Sequence, residues 1–227
     1  MVRLEITYKK IMNIFLDTID LKIINEYFQI GILAGVTTNP TLAKRFEMKD
    51  DIEMVKEVRS AMPIGEIHVE AFGDNVLEIE NNAKRILDLS QDDNLIFKIP
   101  FSKQGVQAAN KLKKLNYKTN LHLIFSINQA LIASNIKSDY ICPLIGRLDD
   151  VGHDAIHNLK EIISAYQSCS SQTKVMASSI RNPLHVIRAL GAGADVVTIP
   201  SNILGQMFDH PLTDIGYKLF KKDLERI

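Results

Sequence analysis

The stretch NLIFKIPFSKQGVQAANKLKKLNYKTNLHLIF, residues 94–125, contains the unit that decides the fold of this chain. Its first and last segments, LIFKIPF and NLHLIF, are apolar runs of strand length, and the segment between them has the apolar spacing of a helix. Ser102 stands where it can cap the first free amides of that helix. The runs are apolar on both faces, which is typical of a parallel sheet covered by helices. The stretch therefore predicts a strand, a helix and a second, parallel strand.

The same alternation recurs along the whole chain. The predicted strands are, in order, NIFLDT, GVTTN, EIHVEAFG, LIFKIPF, NLHLIF, YICPLIG, KVMASSI and DVVTIP. Helical patterns follow them, as in DNVLEIENNAKRILDLS, residues 74–90, for which Asp74 is the predicted N-cap. An open doubly wound sheet seldom has this many units and usually carries a glycine-rich turn after its first strand, whereas FLDTID contains no glycine. The sequence therefore predicts an α/β fold, a closed (β/α)8 TIM barrel.

Both ends of the chain lie outside the eight units. Residues 212–227 have the amphipathic pattern of an extra C-terminal helix. Residues 1–12 are predicted to be an N-terminal extension, with Met12 as an alternative start directly before the first strand. A chain of 227 residues with 46% hydrophobic content can bury one sizeable core. We therefore expect a single domain over residues 1–227.

Composition limits the classes of partner. Lysine plus arginine and aspartate plus glutamate each total 27, so a formal net charge of zero favours neither nucleic acid nor an anionic membrane. The two cysteines, Cys142 and Cys169, have no paired spacing and fit a reducing compartment. No secretory pattern and no apolar run of membrane-spanning length is present. We expect a cytoplasmic enzyme or binding protein with a small-molecule partner.

Lys98 interrupts an otherwise apolar predicted strand. Burying an ammonium group costs several kcal/mol unless it is neutralised or paired. A neutral buried amine is a nucleophile that can form a Schiff base with a ketone or aldehyde. A lysine paired with a buried carboxylate explains the same pattern, because structural ion pairs also perturb lysines. The strand alone leaves both interpretations open.

Two carboxylates stand at the ends of other predicted strands, where a TIM barrel has its active site. Asp17 follows the first strand and is either an acid/base group facing Lys98 or a helix N-cap. Glu70 ends the third strand and is either a group that activates water or a second counter-ion for Lys98.

Residues after the sixth and seventh predicted strands suit an anion. Arg147 offers a guanidinium fork, and Ser179 and Arg181 lie near a helix start, where phosphate oxygens are readily bound. Barrels often carry a phosphate site after the seventh strand. Alternatively, Arg147 lies in a surface turn and pairs with Asp149 or Asp150. The residues alone do not decide between these interpretations.

Seven motifs in order resemble the transaldolase family, and more narrowly its short bacterial and archaeal branch, which includes fructose-6-phosphate aldolase. They are FLDT at 15–18, GVTTNPTL at 35–42, KIP at 98–100, TN at 119–120, FSINQAL at 125–131, GRLDDVGHD at 146–154 and HPLTD at 210–214. The resemblance runs from about Asn13 to the C-terminus.

The resemblance implies roles for individual residues. Lys98 is expected to be the Schiff-base residue and Asp17 the acid/base group. The expected substrate-contacting or site-ordering positions are Thr37, Asn39 and Asn120, and the expected phosphate-binding positions are Arg147, Ser179 and Arg181. No metal and no cofactor is implied, because the iminium itself withdraws the electrons.

Four positions bear on which branch the chain is similar to. Glu70 stands where transaldolases carry glutamate and the aldolase branch carries glutamine. His122 replaces the usual threonine, which together with the glutamate holds the catalytic water, and Cys142 and Leu144 replace a serine and an aromatic residue. An imidazole can take over the hydrogen bond of the threonine or relay protons near neutral pH. His122 is therefore expected to be catalytic and Cys142 to contact substrate.

The function implied by the resemblance is transfer of a dihydroxyacetone unit between sugar phosphates in the pentose phosphate pathway. Sedoheptulose 7-phosphate and glyceraldehyde 3-phosphate would be converted to erythrose 4-phosphate and fructose 6-phosphate. The alternatives are a lyase similar to fructose-6-phosphate aldolase, which releases dihydroxyacetone, and a non-catalytic sugar-phosphate binder. Short family members are usually rings in which the C-terminal helix packs on a neighbour, so a homo-oligomer, a decamer or pentamer, is also expected.

Overall fold

The computed structural model describes residues 12–225 and contains eight parallel strands that close into a barrel in chain order. The strands are β1 (Asn13–Asp17), β2 (Leu33–Thr37), β3 (Glu66–Glu70), β4 (Leu95–Pro100), β5 (Lys118–Ile124), β6 (Tyr140–Pro143), β7 (Lys174–Ala177) and β8 (Val196–Pro200). Pairing of β1 with β8 closes the barrel. The predicted TIM barrel is confirmed. The predicted N-terminal extension lies, apart from Met12, outside the described residues.

Helices connect the strands and cover the barrel. They are α1 (Leu21–Ile30), α2 (Pro40–Arg45), α3 (Asp51–Ala61), α4 (Val76–Ser90), α5 (Lys103–Lys114), α6 (Ile127–Asn135), α7 (Ile145–Asp149), α8 (Ala155–Ser168), α9 (Pro183–Ala192), α10 (Ser201–Gln206) and α11 (Pro211–Leu224). The short helices α2, α7 and α10 follow the carboxyl ends of β2, β6 and β8. The C-terminal helix is present as predicted. No helix in the described part of the chain is long and apolar enough to cross a membrane.

Side-chain caps set where several helices begin. Ser102 accepts a hydrogen bond from the amide of Gly105 at 2.9 Å and caps α5, as predicted. The prediction that Asp74 caps α4 was wrong. The cap is Asn75, whose side chain accepts a hydrogen bond from the Glu78 amide at 3.1 Å, and the Asp74 amide donates to the side chain of Glu78 at 2.8 Å.

Apolar side chains fill both sides of the sheet. The larger cluster lies between the strands and the helices, and a smaller one lies inside the barrel; its buried members are Phe15, Ile96, Tyr140, Cys142, Met176 and Val196. Fully burying a large apolar side chain contributes about 1.5–3 kcal/mol, so burial on both faces explains the uninterrupted apolar runs. These side chains pack the barrel interior.

Candidate active site

A cavity of about 430 Å³ lies at the carboxyl ends of the strands. Its wall contains most of the predicted site residues, namely Asp17, Thr37, Asn39, Lys98, His122, Cys142, Arg147, Ser179 and Arg181. Glu70 and Asn120 are buried beside this wall and do not line the cavity. The barrel therefore brings residues from distant parts of the chain to one opening.

Lys98 projects from β4 and is only 6% exposed. Its Nζ donates a hydrogen bond to the carbonyl of Thr38 at 2.6 Å and lies 3.6 Å from Oε2 of Glu70. The side chain is thus both paired with a carboxylate and part of the cavity wall. The two interpretations of Lys98, a reactive amine and a lysine paired with a buried carboxylate, are therefore compatible. A carboxylate next to the cavity can take part in reactions of the amine that it pairs with.

Asp17 ends β1 and faces the same cavity. Its Oδ1 accepts hydrogen bonds from Oγ1 of Thr37 at 2.9 Å and from Nδ2 of Asn39 at 3.3 Å. Burial raises the pKa of Asp17, while the charge of Lys98 and these two hydrogen bonds lower it in part. A carboxyl group with a raised pKa is suited to exchanging a proton near neutral pH.

Asp17 does not cap the helix α1, which was the alternative role predicted for it. Asp20 caps α1, accepting hydrogen bonds from the amides of Lys22 and Ile23 at 3.1 and 3.3 Å. The Asp17 side chain is therefore available to the cavity.

Thr198 is a cavity residue that the sequence interpretation missed. Its Oγ1 lies 2.6 Å from Oγ1 of Thr37, so it supports the threonine that donates to Asp17. A polar residue inside the apolar run DVVTIP was the available signal, of the same kind as Lys98 in LIFKIPF.

His122 and Glu70 form a close pair beside Lys98. Nε2 of His122 lies 2.6 Å from Oε1 of Glu70. Burial lowers the pKa of His122, which outweighs the opposing effect of Glu70; the charges of Lys98 and Arg147 lower this pKa further. The imidazole is therefore neutral at neutral pH, and its Nε2–H donates to the carboxylate.

A bulge in β5 determines how His122 enters the site. The register with β6 shifts between His122 and Ile124, and Leu123 between them has a φ of 59°. Consecutive side chains of a regular strand point to opposite faces, but His122 and Leu123 both line the cavity. The bulge thus turns two neighbouring side chains towards the cavity.

Arg147, Ser179 and Arg181 form the phosphate-suited end of the cavity. Arg147 belongs to α7, and the other two residues follow β7. Arg181 Nη2 donates to Oδ2 of Asp150 at 3.0 Å. Within residues 12–225, Asp150 thus pairs with Arg181, and no ion pair of Arg147 with Asp149 or Asp150 is found. Two guanidinium groups and a hydroxyl at one end of a cavity suit a phosphate.

Gly146 brings these two segments together. Its amide donates to the carbonyl of Ser179 at 3.0 Å. A Cβ atom at position 146 would lie 2.3 Å from that carbonyl oxygen and 2.6 Å from Nε of Arg181. Only glycine permits this approach, so Gly146 sets the distance between Arg147 and Arg181.

Cys142 and Leu144, two of the unusual residues, line the cavity next to His122. Burial raises the pKa of Cys142, which outweighs the lowering by the charge of Lys98. The thiol is therefore protonated at neutral pH and is not an activated nucleophile.

Glu70 also borders a second cavity, of about 370 Å³, which shares Asn39 and Pro40 with the first. Asn120 has a different position, because its side chain is fully buried and its Nδ2 lies 3.0 Å from Nδ1 of His68.

Across the described residues, no group of three or more His, Cys, Asp or Glu side chains is arranged to hold a metal ion.

Solved structures of other proteins share the fold at low sequence identity. A thiamine phosphate pyrophosphorylase from Pyrococcus furiosus superposes with a TM-score of 0.61 at 16% identity, covering 85% of this chain and 87% of that protein. A mandelate oxidase variant gives a TM-score of 0.58 at 14% identity, over 84% of this chain and 64% of the other. These similarities concern the barrel alone.

Sequence comparison is more specific. A protein of Methanococcus maripaludis strain C7, named "Probable transaldolase", is 39% identical over 94% of this chain and 98% of its own length. A protein of Caldicellulosiruptor saccharolyticus with the same name is 40% identical over 95% of this chain and 98% of its own length. The family model Transaldolase/Fructose-6-phosphate aldolase matches residues 14–226. This chain therefore belongs to the transaldolase/fructose-6-phosphate aldolase family.

Proposed function

We propose that this protein is a transaldolase-type class I aldol enzyme in which Lys98 forms a Schiff base with a ketose phosphate. The observation that carries the proposal is the buried Lys98 amine in the wall of the cavity that also contains Asp17. An amine attacks a carbonyl only as the free base, and Glu70 at 3.6 Å is placed to exchange protons with it.

The first half-reaction begins with attack of the Lys98 amine on the C2 carbonyl of fructose 6-phosphate. Loss of water from the carbinolamine leaves an iminium. Asp17, whose pKa is raised by burial, takes the proton of the C4 hydroxyl. The C3–C4 bond then breaks, its electron pair moves into the iminium to form an enamine, and glyceraldehyde 3-phosphate leaves.

The second half-reaction reverses these steps with a different aldehyde. The enamine carbon attacks the carbonyl carbon of erythrose 4-phosphate, and Asp17 returns the proton to the resulting alkoxide. Water then adds to the iminium and releases sedoheptulose 7-phosphate from Lys98. The His122–Glu70 pair, joined at 2.6 Å, is placed to hold that water and take its proton.

The phosphate of each sugar is assigned to the far end of the cavity. Arg147 and Arg181 supply guanidinium groups there, and Ser179 supplies a hydroxyl. Substrate phosphate would displace Asp150 from Arg181, since both groups use the same donors. Thr37 and Asn39 orient Asp17 towards the sugar. This transferase activity belongs to the pentose phosphate pathway, and we assign it to the cytoplasm.

A fructose-6-phosphate aldolase-like lyase is the second candidate. The close His122–Glu70 pair supports it, because a water activated next to Lys98 can hydrolyse the three-carbon intermediate before an acceptor arrives. Dihydroxyacetone would then be released. Product analysis with and without erythrose 4-phosphate separates the two, since only the lyase consumes fructose 6-phosphate without an acceptor.

We also propose that the protein is a homo-oligomer. The helix α11 exposes a row of large apolar side chains, namely Leu212, Ile215, Tyr217, Leu219, Phe220 and Leu224. Exposed apolar patches of this kind are typical of surfaces that bind another protein. A second copy of the chain, in a pentamer or decamer, is the proposed partner.

Borohydride trapping tests the proposed function. Fructose 6-phosphate is added, the imine is reduced, and peptides are analysed by mass spectrometry; a three-carbon adduct on Lys98 is expected. The variant Lys98→Arg should give no adduct, whereas Lys103→Arg, on the exposed start of α5, should give the wild-type result. Absence of any adduct with the sugar phosphates tested, in protein that is folded, contradicts the proposal.

A further inference from the structure

A chain of polar side chains, none of which lines the cavity, leads to Asn120 beside the cavity wall. Asn120 Nδ2 lies 3.0 Å from His68 Nδ1, and both residues are fully buried. His68 Nε2 lies 3.6 Å from Oε2 of Glu66, to which the Tyr140 hydroxyl donates at 2.5 Å. Lys174 Nζ donates to the same hydroxyl oxygen at 3.0 Å. The chain ends at Asn120, the neighbour of Lys98 in the register of β4 and β5.

Glu66 determines which nitrogen of His68 carries the proton. Burial tends to raise the pKa of Glu66, but the contacts with His68 and Tyr140 and the charge of Lys174 outweigh it and lower this pKa, so the carboxylate is ionised. Burial lowers the pKa of His68, so its ring is neutral and carries one proton. A separation of 3.6 Å is too long for a full hydrogen bond, yet a negative charge there favours an N–H over a lone pair. The proton is therefore on Nε2.

The tautomer of His68 in turn determines the orientation of the Asn120 amide. With the proton on Nε2, Nδ1 is an acceptor and requires a donor. Asn120 must therefore present its NH2 group to His68, which leaves Oδ1 on the other side of the amide. Oδ1 is buried and has no hydrogen-bond partner among the described residues. A buried acceptor without a partner is costly and calls for an explanation.

We propose that Glu66 and His68 are positioning residues that hold the Asn120 amide with Oδ1 free to accept a hydrogen bond from the Schiff-base intermediate on Lys98. The proposal deepens the proposed function and rests on it, because a hydroxyl or N–H donor arrives only when a ketose has reacted with the neighbouring lysine. Holding the acceptor in place in advance avoids reorganisation during the reaction.

Nitrogen-15 NMR of His68 tests the orientation without any turnover. In the full-length protein at pH 7, Nε2 should have the chemical shift of a protonated nitrogen and Nδ1 that of an unprotonated one. The Nδ1 and Nε2 signals of His68 are identified because they are absent from the spectrum of the His68→Phe variant. The Nδ1–H tautomer, or a doubly protonated ring, overturns the proposal. This result stands even if the proposed sugar-phosphate chemistry fails in wild-type protein.

A double-mutant cycle tests the route through Asn120. The rate of borohydride trapping with fructose 6-phosphate should fall about tenfold or more in His68→Phe, as is typical when a group that orients a functional side chain is lost. The double variant His68→Phe/Asn120→Ala should be no slower than Asn120→Ala alone. Additive losses show that His68 does not act through Asn120 and overturn the proposal.

Two further variants separate positioning from folding. In His68→Asn the side-chain oxygen takes the place of Nδ1, and at least part of the trapping rate should return; no recovery in folded protein counts against the proposal. The same exchange at a surface histidine, His153→Phe, should leave the rate unchanged. Circular dichroism and thermal unfolding verify that each variant is folded. If wild type forms no adduct, the proposed function fails and only the NMR result bears on His68.

Discussion

Nε2 of His122 lies 2.6 Å from Oε1 of Glu70, and this contact joins a neutral imidazole to the carboxylate that accompanies Lys98. The second oxygen of Glu70 lies 3.6 Å from the Lys98 amine. One carboxylate therefore connects the proposed nucleophile with the residue that most distinguishes this site. Proton exchange between Lys98 and a water held by His122 can pass through Glu70.

Replacing His122 tests this connection. We expect His122→Ala to lower kcat about 100-fold, in the range of a lost acid/base group, whereas His122→Thr restores a hydroxyl hydrogen bond and retains more activity. Steady-state kinetics with fructose 6-phosphate and erythrose 4-phosphate measure both. Equal, near-wild-type rates in the two variants would show that the contact has no catalytic role.

The pH dependence of wild type should reflect the lowered pKa of His122. The pKa of the His122 ring is lowered from its ordinary value of 6.5 mainly by burial, so the neutral form persists below pH 6.5. Activity should therefore fall on the acid side only below that pH, as the ring gains a proton and loses its free lone pair. In His122→Thr this part of the acid limb should disappear from the profile of kcat against pH. An unchanged acid limb would assign it to another group.

Asp17→Asn should separate Schiff-base formation from carbon–carbon bond cleavage. The asparagine side chain keeps the size and the hydrogen-bonding position next to Thr37 but cannot take the proton of the C4 hydroxyl. We expect borohydride trapping to give an adduct with all six carbons on Lys98, and turnover to fall by about 100-fold or more. A three-carbon adduct formed at the wild-type rate would remove Asp17 from the cleavage step.

Gly146→Ala should weaken binding of the sugar phosphate. The new methyl group would meet the Ser179 carbonyl oxygen at 2.3 Å, so α7 and Arg147 must move away from Arg181. We expect KM to rise about tenfold, equivalent to roughly 1.4 kcal/mol, with a smaller effect on kcat. The matched control is Gly191→Ala in α9, where no atom lies within 4 Å and a helical alanine is favoured. Equal KM values in the two variants would contradict the role of Gly146.

Charge placed on α11 should dissociate the proposed oligomer. Ile215→Glu and Leu219→Glu lie four residues apart on one side of this helix and remove two exposed apolar side chains. Light scattering should show a lower mass for the double variant than for wild type. Lys218→Glu changes an exposed charge on the same helix and should keep the wild-type mass. A monomeric wild-type protein, or an unchanged mass in the double variant, contradicts the proposal.

The sequence by itself determined the barrel and singled out candidate residues at the carboxyl ends of its strands. Ile96, Phe97 and Ile99 are all almost fully buried, and such continuous runs occur because both faces of a parallel sheet are covered. Lys98 was visible for the same reason, since a charge within such a run must have a partner or a function. The start of α5 could also be predicted from Ser102, because capping is a contact between residues close in the chain.

Only the tertiary structure decided how the strand ends meet. Thr198 contacts Thr37 although 161 positions separate them, and His68 reaches Asn120 across 52 positions. The bulge at Leu123 is also absent from the apolar pattern, because it depends on how β5 pairs with β6. Register, shear and bulges are settled by packing between distant strands rather than by local preference. For that reason the sequence singled out Lys98, Asp17 and Glu70 as candidates, and the closed barrel decided what surrounds them.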